Sequence, residues 1–359
     1  DAAFEYLQKT DVDAYHALLE MAEAVSESGT LTHEGVVYDV LLTLAPVLAW
    51  TRFSIPSGNL PAHLHQALQA LLAGHIYSES ARIVLAPALY AMDQIPCSHA
   101  GVFSLRTTLS KRFLGKSVPP HPEEKQEIPP FIADIRYLVA LVMVPSGQAV
   151  FRWQSLQKPE GVELGKANCL SQWKEKATPL LAGMLPGCVL DPVLPGAFFG
   201  ACRQSDQQIR PASIVSAVNY LTHALQVAPR QLGAVVAGFT DDTLRDAVSE
   251  YRVAFCQQDS HEVVYGIVWP VYGQDEMQQA MRTDIPDRSR LPEEMLMQNQ
   301  LAHILFLLSS LEVPCLHVHR ERFPMEFCEE CGVPLFVDVS GELVHAEMPE
   351  SAGKELFLQ

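Results

Sequence analysis

Between residues 315 and 347 the chain reads CLHVHRERFPMEFCEECGVPLFVDVSGELVHAE, and no other stretch gathers so many thiols and imidazoles. Cys328 and Cys331 stand two residues apart, and Gly332 follows the second. Two thiolates at this spacing, with a permissive glycine behind them, form a knuckle whose sulfurs can face one metal ion. Structural zinc needs four ligands, and one Cys-x-x-Cys pair supplies two. The others must come from histidine or a further cysteine. His345 lies beyond the Ser340-Gly341 turn and can fold back over the knuckle. On a strand, Cys315, His317 and His319 share one face by the two-residue period. The expected zinc site is therefore Cys328, Cys331, His345 and His319, with His317 and Cys315 as competitors for the last position. Two other readings stay open. The cysteines are inert thiols in a turn, or they form a redox pair. A redox pair usually opens a helix, and Gly332-Val333-Pro334 does not continue as one. Glu329 and Glu330, between the thiols, are also expected to raise their pKa values.

Such a site needs strands on both sides of the knuckle. Residues 313–318 form an apolar, β-branched run that reads as a strand, and His345 is read on a further strand after the Ser340-Gly341 turn. Ahead of it, the order of elements hints at a repeat. Runs at 137–144 and 149–154 predict one strand pair, with a turn at Pro145-Ser146-Gly147. Runs at 251–255 and 263–271 predict another. A helix and a strand follow each pair, the strands being 232–239 and 313–318. Tyr137-Leu138-Val139-Ala140 matches Tyr251-Arg252-Val253-Ala254, and Phe198…Cys202 matches Phe327…Cys331 at constant offset. We read a strand-strand-helix-strand unit used twice, over 131–240 and 245–345, with a possible cleft between the units. A polar insertion at 274–290 and a helix opening at Pro292 complete the second unit.

The first third reads as helical. Thr10 can cap a helix carrying Ala14, Leu18, Met21 and Val25. From about Thr32, the residues Val36, Val37, Val40, Leu41, Leu44 and Leu48 recur at helical spacing and predict a deeply buried helix. Asn59 and Pro61 open a third, with Leu64, Leu68, Leu71 and Leu72 on one face. A shorter one is expected over 105–113. Residues 117–130, SVPPHPEEKQEIPP, are too rich in proline for a helix interior or a central strand and read as a linker. The expected fold is thus α+β: an all-helical domain over 1–116, the linker, and an α/β part over 131–359.

Composition sets further bounds. With 48% hydrophobic and 19% charged residues, the 359-residue chain has the apolar material for a real core. A formal net charge of −17 opposes nucleic-acid phosphates and anionic lipid. No apolar run reaches a membrane span, and no signal-like segment opens the chain at Asp1. Eight cysteines, mostly single and in apolar surroundings, fit a reducing cytoplasm. Outside the knuckle the candidates are bland. Asp241-Asp242 reads as a helix cap, Trp153 and Trp269 as core or cleft wall, and Glu342, Glu347 and Glu350 as solvated surface. No phosphate-binding glycine loop, kinase or hydrolase signature is present.

Several segments together resemble a known family: residues 49–58 (AWTRFSIPSG), 90–94 (YAMDQ), Arg136-Tyr137-Leu138 and 327–349 (FCEECGVPLFVDVSGELVHAEMP). The family is the uncharacterised beta-proteobacterial domain of unknown function 2863. The resemblance spans most of the chain. It implies a bacterial, cytoplasmic protein and supplies neither activity nor catalytic residues. The function expected is a non-catalytic binding or scaffold module with a structural zinc knuckle, acting through self-association or an unknown protein partner, without nucleic acid or membrane. The alternative is a small-molecule enzyme working in the cleft.

Overall fold

The computed structural model describes residues 12–51, 55–116, 133–156, 159–240, 248–258, 262–271 and 299–347, with only the backbone described over 12–16. The proposed cap Thr10, the linker 117–130, Asp241-Asp242, the insertion 274–290, the start at Pro292 and Glu350 lie outside these residues. Two compact units are formed, Asp1–Ile209 and Arg210–Gln359.

The first unit is built on a seven-stranded antiparallel sheet, which overturns the all-helical expectation. Its organising strand is β2 (Val36–Trp50), the segment whose apolar spacing suggested a helix. β1 (Ser28–His33) enters it through a two-residue turn. Glu34 and Gly35 there both have positive φ, as a tight hairpin matching strand twist requires. The other edge of β2 pairs along its length with β5 (Ala133–Pro145). So the segments before and after the proline-rich stretch share one sheet. Every residue from Leu42 to Ala49 is buried. A strand covered on both faces loses its alternation, and a continuous apolar run then fits strand or helix equally well.

Two prolines obscured the strands further. Pro46 sits where the short partners β6 (Val189–Pro192) and β7 (Gly196–Ala197) give way to one another along β2. Its carbonyl accepts from Val193 N at 2.9 Å, and its missing N–H falls at this break in pairing. Pro87 lies in the register shift of β4 (Arg82–Ala91) against β5, where its carbonyl accepts from Leu60 N at 2.8 Å. β4 also pairs with β3 (Gly58–Asn59).

Helices cover both faces. Following α1 (Val12–Glu27), α2 (Ala62–His75) has Leu64, Leu68 and Leu72 buried, as its spacing predicted. They share one core with Trp173, Ala177 and Leu181 of α4 (Pro159–Ala182) and with Ala45, Val47, Ala49, Leu138 and Ala140 of the sheet. Residues of β2 on the opposite face meet α3 (His99–Phe113), where Tyr38 packs edge-on against Phe113. The predicted return strand 149–154 is absent. Phe151 makes one bridge to Tyr77, and Arg152–Ser155 is a 3-10 turn, with Trp153 buried as expected. The passage over 131–240 is therefore no strand-strand-helix-strand unit. Its β5 belongs to the larger sheet. Helix α5 (Phe198–Ala224) carries Pro211 in its interior.

The second unit has a four-stranded sheet. Here β8 (Leu232–Thr240), β9 (Glu250–Gln257) and β10 (Val263–Pro270) match the sequence reading closely and pair antiparallel. After α6 (Gln300–Ser310), β11 (Cys315–Pro324) joins parallel to β8. Trp269 is buried, and its Nε1 donates to Gln300 on α6 at 2.8 Å. The opposite face of this sheet, carrying Val235, Ala237, Ala254 and Val263, is covered by the small hairpin of β12 (Phe336–Val337) and β13 (Leu343–Val344). The matched segments 198–202 and 327–331 adopt different structures, a helix start and a turn. Among the described residues there are thus six α-helices and thirteen strands in three sheets.

Candidate metal centre

β11 delivers the chain to a closed loop over residues 326–335. Leu335 N donates to Glu326 O at 3.1 Å, and Phe327 and Pro334 form a β-bridge. Inside, Cys328 N donates to Val333 O and Gly332 N to Cys328 O, each at 2.8 Å. The turn closes because Gly332 takes φ +72, a left-handed conformation that a side chain disfavours. The chain then runs through β12, turns at Asp338–Glu342 and returns along β13. Asp338 holds that turn by accepting from Ser340 N at 2.8 Å and Glu342 N at 2.9 Å. Past β13, Glu347 N donates to Val263 O at 3.0 Å, fixing the tail to β10.

This path brings His345 over the knuckle. Its Nε2 lies 3.2 Å from Cys331 Sγ, and the donor atoms of Cys328, Cys331 and His345 all lie within 4.8 Å of one another. In a tetrahedral zinc site, bond lengths near 2.3 Å to sulfur and 2.0–2.1 Å to nitrogen put neighbouring donors about 3.6–3.8 Å apart. The set therefore fits the ion with small side-chain adjustments. Cys331 is exposed and Cys328 half-buried, so the centre lies at the surface.

The loop amides act on the thiols as well. The N–H groups of Cys331 and Glu330 donate to the Cys328 sulfur, as does the Cys331 thiol, and hold its pKa below the ordinary value. Glu330 opposes this as expected, but its exposed carboxylate has the weaker effect. Amide donors in a tight turn favour the thiolate, the form that binds metal.

His319 does not join the group. Its Nε2 donates to Asp338 O at 2.8 Å, and its ring packs edge-on against Phe323 and His317. His317 points out exposed, and the Cys315 thiol contacts His317 O at 3.6 Å. Strand parity did place His317 and His319 ring against ring, beside the turn at Asp338 rather than at the knuckle, while a register shift between Cys315 and His317 breaks the alternation for Cys315. Glu347 is exposed, as read from the sequence, and also stands beside His345. Its Oε1 is 3.3 Å from His345 Nδ1, an ion-pair distance without hydrogen-bond alignment. A carboxylate behind a ligating histidine orients the ring, and its position two residues after His345 was the available signal. Among the described residues, no helix is long and apolar enough to cross a membrane.

A family model described as "Protein of unknown function (DUF2863)" matches residues 1–357, and the chain belongs to that family. No curated protein and no solved structure matches it.

Proposed function

As a member of a family without assigned activity, the chain is read from its site, and we propose that it is a non-catalytic binding or scaffold protein with a zinc knuckle. Cys328, Cys331 and His345 hold the ion, and solvent takes the fourth position. The observation that carries this reading is the convergence of the three donors on one loop, closed by its own backbone and tied to the sheet. The ion stiffens a surface loop bearing exposed Glu329 and Glu330, which suits a protein partner and repels nucleic acid. The eight cysteines form no disulfide, and six of them lie outside the metal centre, which supports a reducing cytoplasm as its setting.

Affinity capture of the tagged chain from its native host tests the binding role. A protein retained at fixed stoichiometry by wild type and lost with Cys328→Ser supports it. Equal retention by both, or none by either, opposes it. One observation favours a second reading. Three protein donors with one open position is also the pattern of catalytic zinc. Metal-dependent turnover of a small molecule by the purified chain would decide for that reading.

A further inference from the structure

Building on the zinc reading, we propose that Arg252 and Glu250 are positioning residues of the metal centre, setting the knuckle's shape from inside the sheet. Arg252 lies on β9, on the face covered by the C-terminal hairpin, and its side chain is fully buried. Its Nε donates to Glu250 Oε1 at 2.6 Å. One terminal nitrogen donates to Glu326 O at 2.9 Å and also to Leu335 O. Those two carbonyls belong to the residues that close the neck of the cysteine loop. The guanidinium carbon also lies 4.1 Å from the Phe239 ring centre and 5.4 Å from that of Phe327, the residue before Cys328. One planar cation thus grips both ends of the loop and packs on its first aromatic.

A buried ion pair is a poor source of net stability, because apolar replacements of similar volume are often neutral or better. What this pair supplies is geometry. The bonds of Arg252 to both carbonyls hold the neck closed, so the thiols are preorganised and ion binding costs less loop ordering. Lysine cannot substitute, since a point charge on a flexible stem lacks the fork that reaches a carboxylate and two carbonyls together.

The test uses the full chain, with cobalt(II) and zinc alone as probes. Three forms are compared: wild type, Arg252→Lys, and the apolar pair Arg252→Met with Glu250→Leu. Chelator competition gives zinc affinity, and the cobalt spectrum reports thiolate ligation. Circular dichroism and metal-free melting report folding. We expect the apolar pair to fold and to bind zinc at least tenfold more weakly, as loss of outer-shell support typically does. Arg252→Lys should not restore affinity, and both variants should give weakened, less tetrahedral cobalt bands. Affinity and spectra unchanged in either folded variant would overturn the proposal. If wild type itself binds no metal, the zinc reading falls, and hydrogen exchange still tests the clamp. Faster exchange over 326–335 in Arg252→Lys, with the rest of the sheet unchanged, supports it, and unchanged exchange there overturns it.

Discussion

Gly266 on β10 offers a direct test of how the C-terminal hairpin sits on the sheet. A Cβ built on Gly266 would overlap three atoms of the Phe336 ring edge. Phe336 is 5% exposed and packed with Val235, Ala254 and Val263, so the ring has no free space to enter. Gly266→Ala must therefore displace the ring or lift β12. Overpacking of this kind costs about 1–3 kcal/mol. Losing the burial of one phenylalanine costs about 1.5–3 kcal/mol, which sets a similar upper bound if β12 lifts instead. For a unit of this size, that lowers the melting temperature by roughly 2–12 °C. Urea and thermal unfolding of wild type, Gly266→Ala, Phe336→Ala and the double variant form a cycle. In the Phe336→Ala background the methyl has room, and Gly266→Ala should be neutral or slightly stabilising, since glycine weakens strands. A Gly266→Ala effect within about 0.5 kcal/mol, or the same cost in both backgrounds, would refute the seating of Phe336 on Gly266.

Other predictions concern the first unit. Thr43 Oγ1 donates to Ala140 O at 3.0 Å and accepts from the buried Tyr77 hydroxyl at 2.7 Å. Thr43→Val should cost about 1–3 kcal/mol by stranding that hydroxyl, and adding Tyr77→Phe should return most of it in chemical denaturation. Glu27 accepts from Phe199 N at 3.0 Å, yet burial foremost, aided by Glu23, lifts its pKa above the ordinary carboxylate value of 4.5. The folded state then holds this proton more tightly than the unfolded one. Its stabilising contribution is complete below the ordinary value and is lost as pH rises through the folded pKa. Glu27→Gln should flatten stability against pH across that window, and denaturation curves at successive pH values would contradict this if the slope persisted.

How much of this was legible in the sequence depends on what surrounds each element. The strands β8, β9 and β10 and the helix α2 were readable because turns bound them or one face stays wet. β2 was not, since burial on both faces erased its alternation and a proline such as Pro46 is rare in central strands. That proline is tolerated where β6 and β7 exchange, a fact of pairing between segments far apart in the chain. The knuckle followed the same rule. Cys328, Cys331 and Gly332 are local and were found from spacing alone. His345 followed from a short hairpin fold-back. His319 lies apart from these three donors, because the partner of its ring, Asp338 O, depends on where the β12–β13 turn lands. Arg252 was invisible because nothing local separates a buried strand arginine from an exposed one.

The proposed centre holds one metal ion by two sulfurs and one imidazole. X-ray absorption at the zinc edge, on full-length protein purified without chelator, reads this ligand shell directly. The expected result is about one zinc per chain, with two sulfurs near 2.3 Å and two lighter ligands near 2.0–2.1 Å, and loss of zinc in Cys331→Ser. A chain without zinc, or a shell of oxygen and nitrogen alone, would contradict it.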